Sequence, residues 1–309
     1  MKKIAFVVVW SGKLPNYFPV WLASCKENPT VDFFVFTDDR TEYDYPVNVK
    51  NYYFSFEELK QKFCDIFPFE ISLEKPYKFC DYKPAYGEAF SSYLTEYDFW
   101  GYCDIDVIWG NIRGFLTDEV LENNERIFTR GHCSLFRNNE KVNSYYRTLN
   151  AEGHLDYKMV YQSDKSWCFD EWATHCGGGI SVIFKENNIK TYDEPVMADI
   201  DVAHGSFHIH RRKDLMPVSC FLHENGNLYA CKKEKNGQII KVPVLYCHFQ
   251  KRKLSIVPGW ERGTFMLLPP GEVCAESDRR GTFIRWFGIK KFDFIIFLKR
   301  IWSRIRVSA

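Results

Sequence analysis

The stretch Phe99-Trp100-Gly101-Tyr102-Cys103-Asp104-Ile105-Asp106-Val107-Ile108-Trp109 constrains this chain more than any other. A run this apolar and aromatic reads as a buried strand, and it leads into two carboxylates separated by one residue. Side chains alternate along an extended segment, so Asp104 and Asp106 are expected on one side while Ile105 points back into the protein. Two hard oxygen donors at the end of a buried strand suit Mg²⁺ or Mn²⁺ that also grips a phosphate. The plainer reading is a pair of acids that closes a strand. The rest of the chain has to separate the two.

Ile4 to Trp10 is a continuous β-branched and aromatic run, the mark of a central strand. Phe18 to Lys26 follows as a short helix ending before Asn28-Pro29, and Val31 to Thr37 as a second strand. Val47 to Phe54 reads as a third strand. Ser55 and Glu58 make a capping box for a helix through Phe67, with Leu59, Phe63 and Ile66 on one face. This order predicts an α/β sheet of nucleotide-binding type rather than a sandwich or bundle. Pro84 opens an expected helix to Leu94, with Tyr86, Phe90 and Tyr93 at helical spacing. Further helices are expected near Asp118, over Lys141 to Leu149 and over Ile180 to Asn187, and further strands near Arg126, Ser134 and Lys241 to Tyr246. Residues 150–165 read as polar loops.

Composition removes several function classes. A net charge of +1 argues against a nucleic-acid binder, which carries a basic excess. Eleven cysteines, with no Cys-x-x-Cys pair, fit neither a disulfide framework nor a zinc ribbon and predict reduced thiols in a cytosolic compartment. The apolar run after Met1-Lys2-Lys3 is too short for a signal peptide and lacks a small-residue cleavage site. No run approaches the roughly 20 apolar residues that cross a bilayer. The parts required of a serine hydrolase, a P-loop NTPase or a nicotinamide dehydrogenase are absent from the sequence.

Beyond the opening pair, Asp38-Asp39 closes the second strand where α/β nucleotide sites contact a base or ribose. Lys78 and Lys83 precede a helix and are either solvated lysines or phosphate contacts. Asp170-Glu171 is followed by Gly177-Gly178-Gly179, which lets backbone approach a ligand and leaves a helix N-terminus open. Asp199-Ile200-Asp201 competes for the metal but lacks an apolar strand before it, and reads as a loop. His204, His208 and His210 lack the partners of a zinc site and read as structural. His248 closes a strand and precedes Lys251, Arg252 and Lys253. It can complete a metal shell while the cations neutralise a pyrophosphate, or be a buried histidine beside a basic surface cluster.

With the strand ending in Asp-x-Asp and the His-Phe block near the C-terminus, the chain resembles GT-A nucleotide-sugar glycosyltransferases. More closely, Lys83-Pro84-Ala85-Tyr86-Gly87, the run from Tyr97 to Asn111, and Tyr246-Cys247-His248-Phe249-Gln250-Lys251 are similar to a group of bacterial glycosyltransferases of capsule and O-antigen gene clusters. The resemblance spans residues 1–255. It implies a GT-A, Rossmann-like mixed sheet flanked by helices, with Asp104 and Asp106 on a metal–diphosphate and His248 as third ligand. It further implies that Asp170 and Glu171 face donor sugar and acceptor. The expected activity is metal-dependent (Mn²⁺ or Mg²⁺) transfer of a hexose, UDP being the nucleotide expected, to a lipid-linked or saccharide acceptor. Asp38, Lys78, Lys83, Asp104, Gly178, Lys251 and Lys253 are the expected donor contacts. Asp170 and Glu171 are the candidates for the base of an inverting enzyme. The Gly-x-x-Lys-Pro-Trp continuation of the glycogenin-like group is absent, so retention or inversion stays open. Two alternatives are a sugar nucleotidyltransferase, to whose Gly-rich basic loop Ser11-Gly12-Lys13 is a poor match, and a non-catalytic, sugar-binding membrane-associated protein.

From Phe283 onward seven Lys/Arg face one acid, Asp293. Phe287, Phe294, Leu298, Ile301 and Ile305 fall on one helical face, which predicts an amphipathic helix lying on an anionic membrane surface. The alternative is a helix packed on protein. The expected organisation is a glycosyltransferase domain over 1–255, a linker over 256–282 and this helix over 283–309. The protein is then cytoplasmic, peripheral on the inner face of the plasma membrane.

Overall fold

The Phe99–Cys103 strand is the fourth of seven in a mixed sheet and is buried from end to end. The computed structural model describes residues 1–149, 155–234, 236–250, 252–277 and 288–299. By its contacts the chain divides into two units, which it visits alternately. Met1–Pro15, Pro29–Ile105 and Leu116–Glu194 form the first; Asn16–Asn28, Asp106–Phe115 and Pro195–Ala309 belong to the second.

In the first unit the strands run Val49–Tyr53, Val31–Thr37, Ile4–Trp10, Phe99–Cys103, Cys133–Arg137, Arg126–Arg130 and Thr191–Tyr192 across the sheet. The first four are parallel, and Cys133–Arg137 is antiparallel to both its neighbours. The chain steps outward from Ile4–Trp10 and then returns to its other side at Phe99–Cys103. A reversal of this kind opens a crevice at the carboxyl ends of the two strands, where open α/β sheets bind ligands. Asp104 is the residue that follows that end.

Helices flank the sheet, giving the mixed α/β architecture expected. Phe56–Cys64 starts with the capping box expected at Ser55 and Glu58, whose side chains each accept the other's backbone amide. Its Leu59 and Phe63 are buried. The helix expected from Pro84 is instead a series of short turns beginning at Pro76 and running to Leu94. Pro84 has no N–H to continue a helical ladder, so it breaks the run rather than opening it. Gly87 lies against Trp100, and a Cβ there would come within 2.4 Å of the indole. The core is aromatic: Phe36, Phe63, Tyr82, Tyr86, Phe90, Trp100, Tyr102 and Phe136 belong to one buried cluster. The helix expected over 141–149 is two short turns, Glu140–Asn143 and Tyr145–Arg147, and the expected loops contain a helix at Tyr157–Gln162.

The second unit contains the helix Phe18–Lys26, with the bounds expected. Its smaller sheet has three strands, with Tyr246–His248 antiparallel to Val107–Trp109 on one side and parallel to Ala198–Asp199 on the other. Its larger sheet orders Ile239–Val244, Asn227–Lys233, Val218–Glu224, Phe265–Leu268, Glu272–Ala275 and Ser255–Ile256. Asn225 and Gly226 join two of these strands with φ of 49° and 72°, the two-residue primed turn that Asn-Gly favours. Two of the strands lie in the span expected as a linker. All eleven cysteines are free thiols. Residues 288–299 are helical. Among the described residues no helix is long and apolar enough to cross a membrane.

Candidate active site

The single extended run expected through Asp104 and Asp106 is two strands in two sheets, joined by a bend over these residues. Hydrogen bonding explains the break. The Asp104 amide donates to the His132 carbonyl, whereas the Asp106 carbonyl accepts from the Phe249 amide. Alternation along one strand therefore does not govern the two carboxylates. They remain two positions apart in the chain, Asp104 in the first unit and Asp106 in the second.

In the first unit Lys83 is the hub. Its buried ammonium donates to Asp104 Oδ1 at 2.8 Å and to the Gly131 carbonyl at 2.7 Å, and lies 3.3 Å from Asp170 Oδ2. Burial works against that charge, but Asp104 and Asp170 outweigh it and hold Lys83 protonated. Asp170 is buried as well. Burial pushes its carboxyl up to about 7, with Lys83 opposing and Glu171 assisting. A carboxyl titrating near neutrality is suited to accept a proton at physiological pH.

Gly131 connects these groups. Its amide donates to Glu171 Oε1 at 3.2 Å, and a Cβ there would stand 2.4 Å from that oxygen and 2.8 Å from Asp170 Oδ2. Only a residue without a side chain admits both carboxylates. Tyr102, on the central strand, donates its hydroxyl to the Asp170 carbonyl at 2.9 Å. Cys168 and Ala173, on either side of Asp170-Glu171, hold positive φ of 53° and 41°. Non-glycine backbone in that region carries strain, which persists where the surroundings fix it.

Lys78 is buried. Its ammonium donates to Asp81, to the Val160 carbonyl and to the Lys165 carbonyl. These bonds occupy the three donors of an ammonium. Asp81 in turn accepts from the Trp167 and Phe169 amides, so the pair clamps the segment that carries Asp170. The glycine triplet serves the same segment. Gly178 has φ of 109°, and a Cβ on Gly179 would fall 2.5 Å from the Glu171 carbonyl. The helix N-terminus expected to be open is closed by the protein itself. The Ile180 and Ser181 amides donate to the carbonyls of Phe169 and Glu171. Asp38 is exposed and accepts from the Gly12 amide at 2.6 Å and the Ser11 hydroxyl at 2.9 Å, tying together the ends of the first two strands.

In the second unit His248 and Asp106 are both buried, with His248 Nε2 3.4 Å from Asp106 Oδ1. On its other side His248 Nδ1 meets Asp199 Oδ1 at 2.8 Å. Burial disfavours the imidazolium, but these two carboxylates override it and raise the ring's pKa to about 10. Asp199, the expected rival metal ligand, is thus a partner of His248. Asp201 lies 3.9 Å from His204 and 4.0 Å from His210, and His204 stacks on His208. Arg252 is buried and donates to the carbonyls of Asp201, His204 and Pro270, a brace for the backbone. Lys253 is exposed. Lys251 lies outside the described residues.

A family model described as "Family of unknown function (DUF6625)" matches residues 6–274. The chain belongs to this family. All the candidate site residues of this DUF6625 chain fall inside the matched span, while the helix over 288–299 falls outside it. No curated protein matches the chain. Among solved structures, it is similar to galactosyltransferase LgtC in complex with donor and acceptor sugar analogs, at 12% identity and TM-score 0.35 over 63% of this chain and 75% of that one. An active-site mutant of LgtC matches at 12% identity and TM-score 0.39, over 84% and 93%. The glycosyltransferase GlyE of Streptococcus pneumoniae TIGR4 matches at 13% identity and TM-score 0.26, over 44% of this chain and 34% of that one.

Among the candidate residues of this DUF6625 chain, sequence reasoning missed Gly131, Asp81 and Gln250, and it read Asp199 as a rival metal ligand on a loop rather than as a strand residue paired with His248. Gly131 had no signal beyond its type, since its neighbours come from segments 40 residues on. Asp199 did have one. It follows the apolar Met197-Ala198, but a two-residue strand is too short for periodicity to reveal.

Proposed function

We propose that this chain is a glycosyltransferase of the GT-A type that uses a divalent metal and a nucleotide sugar. The observation that carries the reading is the buried pairing of Asp106 with His248, two residues along the chain from Asp104. The donor set fits Mn²⁺ or Mg²⁺, two carboxylates and an imidazole. The 3.4 Å between His248 Nε2 and Asp106 Oδ1 is close to the roughly 3 Å that separates neighbouring ligands on a small octahedral ion. Asp104, Asp106 and His248 would hold the metal, which when bound neutralises the departing diphosphate.

The remaining roles belong to the chain's own side chains. Lys83 holds Asp104 in place and supplies a second positive charge beside it. Asp170, poised near neutrality against Lys83, is the candidate to take the acceptor hydroxyl's proton if transfer inverts, or to position the sugar if it retains. Gly131 and Glu171 set where that carboxylate stands. Lys251 and Lys253 remain the proposed diphosphate cations, and Asp38 the proposed base or ribose contact.

A lipid-linked or saccharide acceptor of bacterial capsule or O-antigen synthesis follows from the sequence resemblance. The helix over 288–299 supports an anionic membrane surface as a partner. Phe292 lies against Arg252 and Asp293 accepts from the Gly205 amide, so these residues face the protein. Phe294, Ile295, Phe297 and Leu298 are exposed beside Lys290, Lys291 and Lys299. Aromatic side chains pointing outward among lysines suit insertion at a negatively charged interface. The rest of the expected tail helix, 283–287 and 300–309, lies outside the described residues.

The test of the enzymatic reading is a screen of nucleotide sugars for Mn²⁺-stimulated hydrolysis, read as release of nucleoside diphosphate. Release of pyrophosphate from a nucleoside triphosphate and sugar phosphate would favour a nucleotidyltransferase instead.

A further inference from the structure

We infer that Asp199 and Gln250 are a positioning pair that fixes the His248 ring with its Nε2 toward Asp106. The inference rests on the proposed metal site, whose ligands it treats as Asp104, Asp106 and His248.

Three observations carry it. Asp199 Oδ1 receives two contacts, His248 Nδ1 at 2.8 Å and the Gln250 amide nitrogen at 2.7 Å. An ionised carboxylate only accepts, so each of those nitrogens donates, and in a neutral ring the lone pair then sits on Nε2. Nε2 is the atom 3.4 Å from Asp106 Oδ1. The backbone fixes the same alignment. His248 and Asp199 are register partners in the parallel pairing, with the Ile200 amide bonded to the His248 carbonyl at 2.9 Å and the His210 amide to the Asp199 carbonyl at 2.8 Å.

Gln250 supplies the third observation. Its φ is 44°, a conformation that side chains other than glycine and asparagine seldom adopt. That backbone turns the chain just past the His248 strand and delivers the side-chain amide to Asp199. A second donor on the same oxygen holds Asp199 Oδ1 in place beneath the ring. A histidine ligand is typically oriented this way by a group outside the metal shell, and losing that group typically weakens metal binding 10- to 100-fold.

The experiment measures Mn²⁺ binding directly, by electron paramagnetic resonance of free Mn²⁺, on the full chain without any sugar nucleotide. Wild type, Asp199→Asn, Gln250→Leu and Asp106→Asn are compared, with circular dichroism to confirm folding. The inference expects Asp199→Asn to raise Kd about 10- to 100-fold and Gln250→Leu to raise it less, with Asp106→Asn the most severe. Unchanged affinity in both Asp199→Asn and Gln250→Leu would overturn the positioning role and leave the metal site standing. A loss in Asp199→Asn as complete as in Asp106→Asn would make Asp199 a ligand, which also overturns it. Absence of Mn²⁺ binding by wild type would remove the metal reading itself. If Asp199→Asn fails to fold, Gln250→Leu alone decides, since it deletes one donor at a partly exposed position.

Discussion

Lys83 Nζ and Asp104 Oδ1 meet at 2.8 Å although they stand 21 positions apart in the chain. The same ammonium lies 3.3 Å from Asp170, so one buried lysine serves two carboxylates. Replacing it with methionine strands Asp170 without a cation. The expected cost is about 3 kcal/mol, the low end for breaking a buried pair because Asp104 is partly exposed. Urea unfolding of Lys83→Met measures it; an unchanged midpoint would show that the pair contributes nothing.

Asp170 predicts a pH dependence. Its carboxyl titrates at about 7 in the folded protein, above the ordinary value of about 4 in an unfolded chain. The folded state therefore binds the proton more tightly, and stability from this group is fully present below about pH 4 and lost as pH rises through about 7. In metal-free protein, Asp170→Asn should remove that slope. As a base, Asp170 acts only when ionised, so turnover should rise through the same interval. A wild-type profile identical to that of the variant would contradict both statements.

Gly131→Ala should damage the site more than the fold. The added methyl meets Glu171 Oε1 and Asp170 Oδ2, which must shift by a substantial fraction of an ångström. Displacements of that order cost about 100-fold in rate. The melting temperature should change by only a few degrees. Activity within twofold of wild type would show that the placement of these carboxylates is not critical.

The first sheet was legible because its strands are long apolar runs. Ile4–Trp10 and Val31–Thr37 have the bounds that their β-branched and aromatic residues imply. The second unit's larger sheet was legible only at Lys241 to Tyr246, which overlaps Ile239–Val244, since Val218–Glu224 and Asn227–Lys233 show neither a long apolar run nor a strict alternation and contain His, Glu and Lys. Asn225-Gly226 was the signal that could have found the hairpin. At the site, Lys78 and Lys83 look equivalent in sequence. Only long-range contacts separate them: Lys78 clamps Asp81 and two carbonyls, while Lys83 reaches Asp104. Residue type names the candidates, and tertiary neighbours assign their work.

The outer face of the helix over 288–299 predicts lipid binding. Phe294 and Phe297 are 59% and 57% exposed. Changing both to serine should weaken binding to vesicles containing phosphatidylserine by about tenfold or more, and salt should weaken wild type in the same assay. Donor hydrolysis in solution should persist. Vesicle binding unaffected by the double change would contradict the membrane reading.

The central claim is that Asp104 and Asp106 carry metal-dependent chemistry on a nucleotide sugar. The most direct test is release of nucleoside diphosphate from UDP-sugars with and without Mn²⁺, for wild type and for Asp104→Asn and Asp106→Asn. The account predicts Mn²⁺-stimulated release by wild type and a loss of about 100-fold or more in each variant, with folding retained. Full activity in either variant, or release indifferent to Mn²⁺, would contradict it.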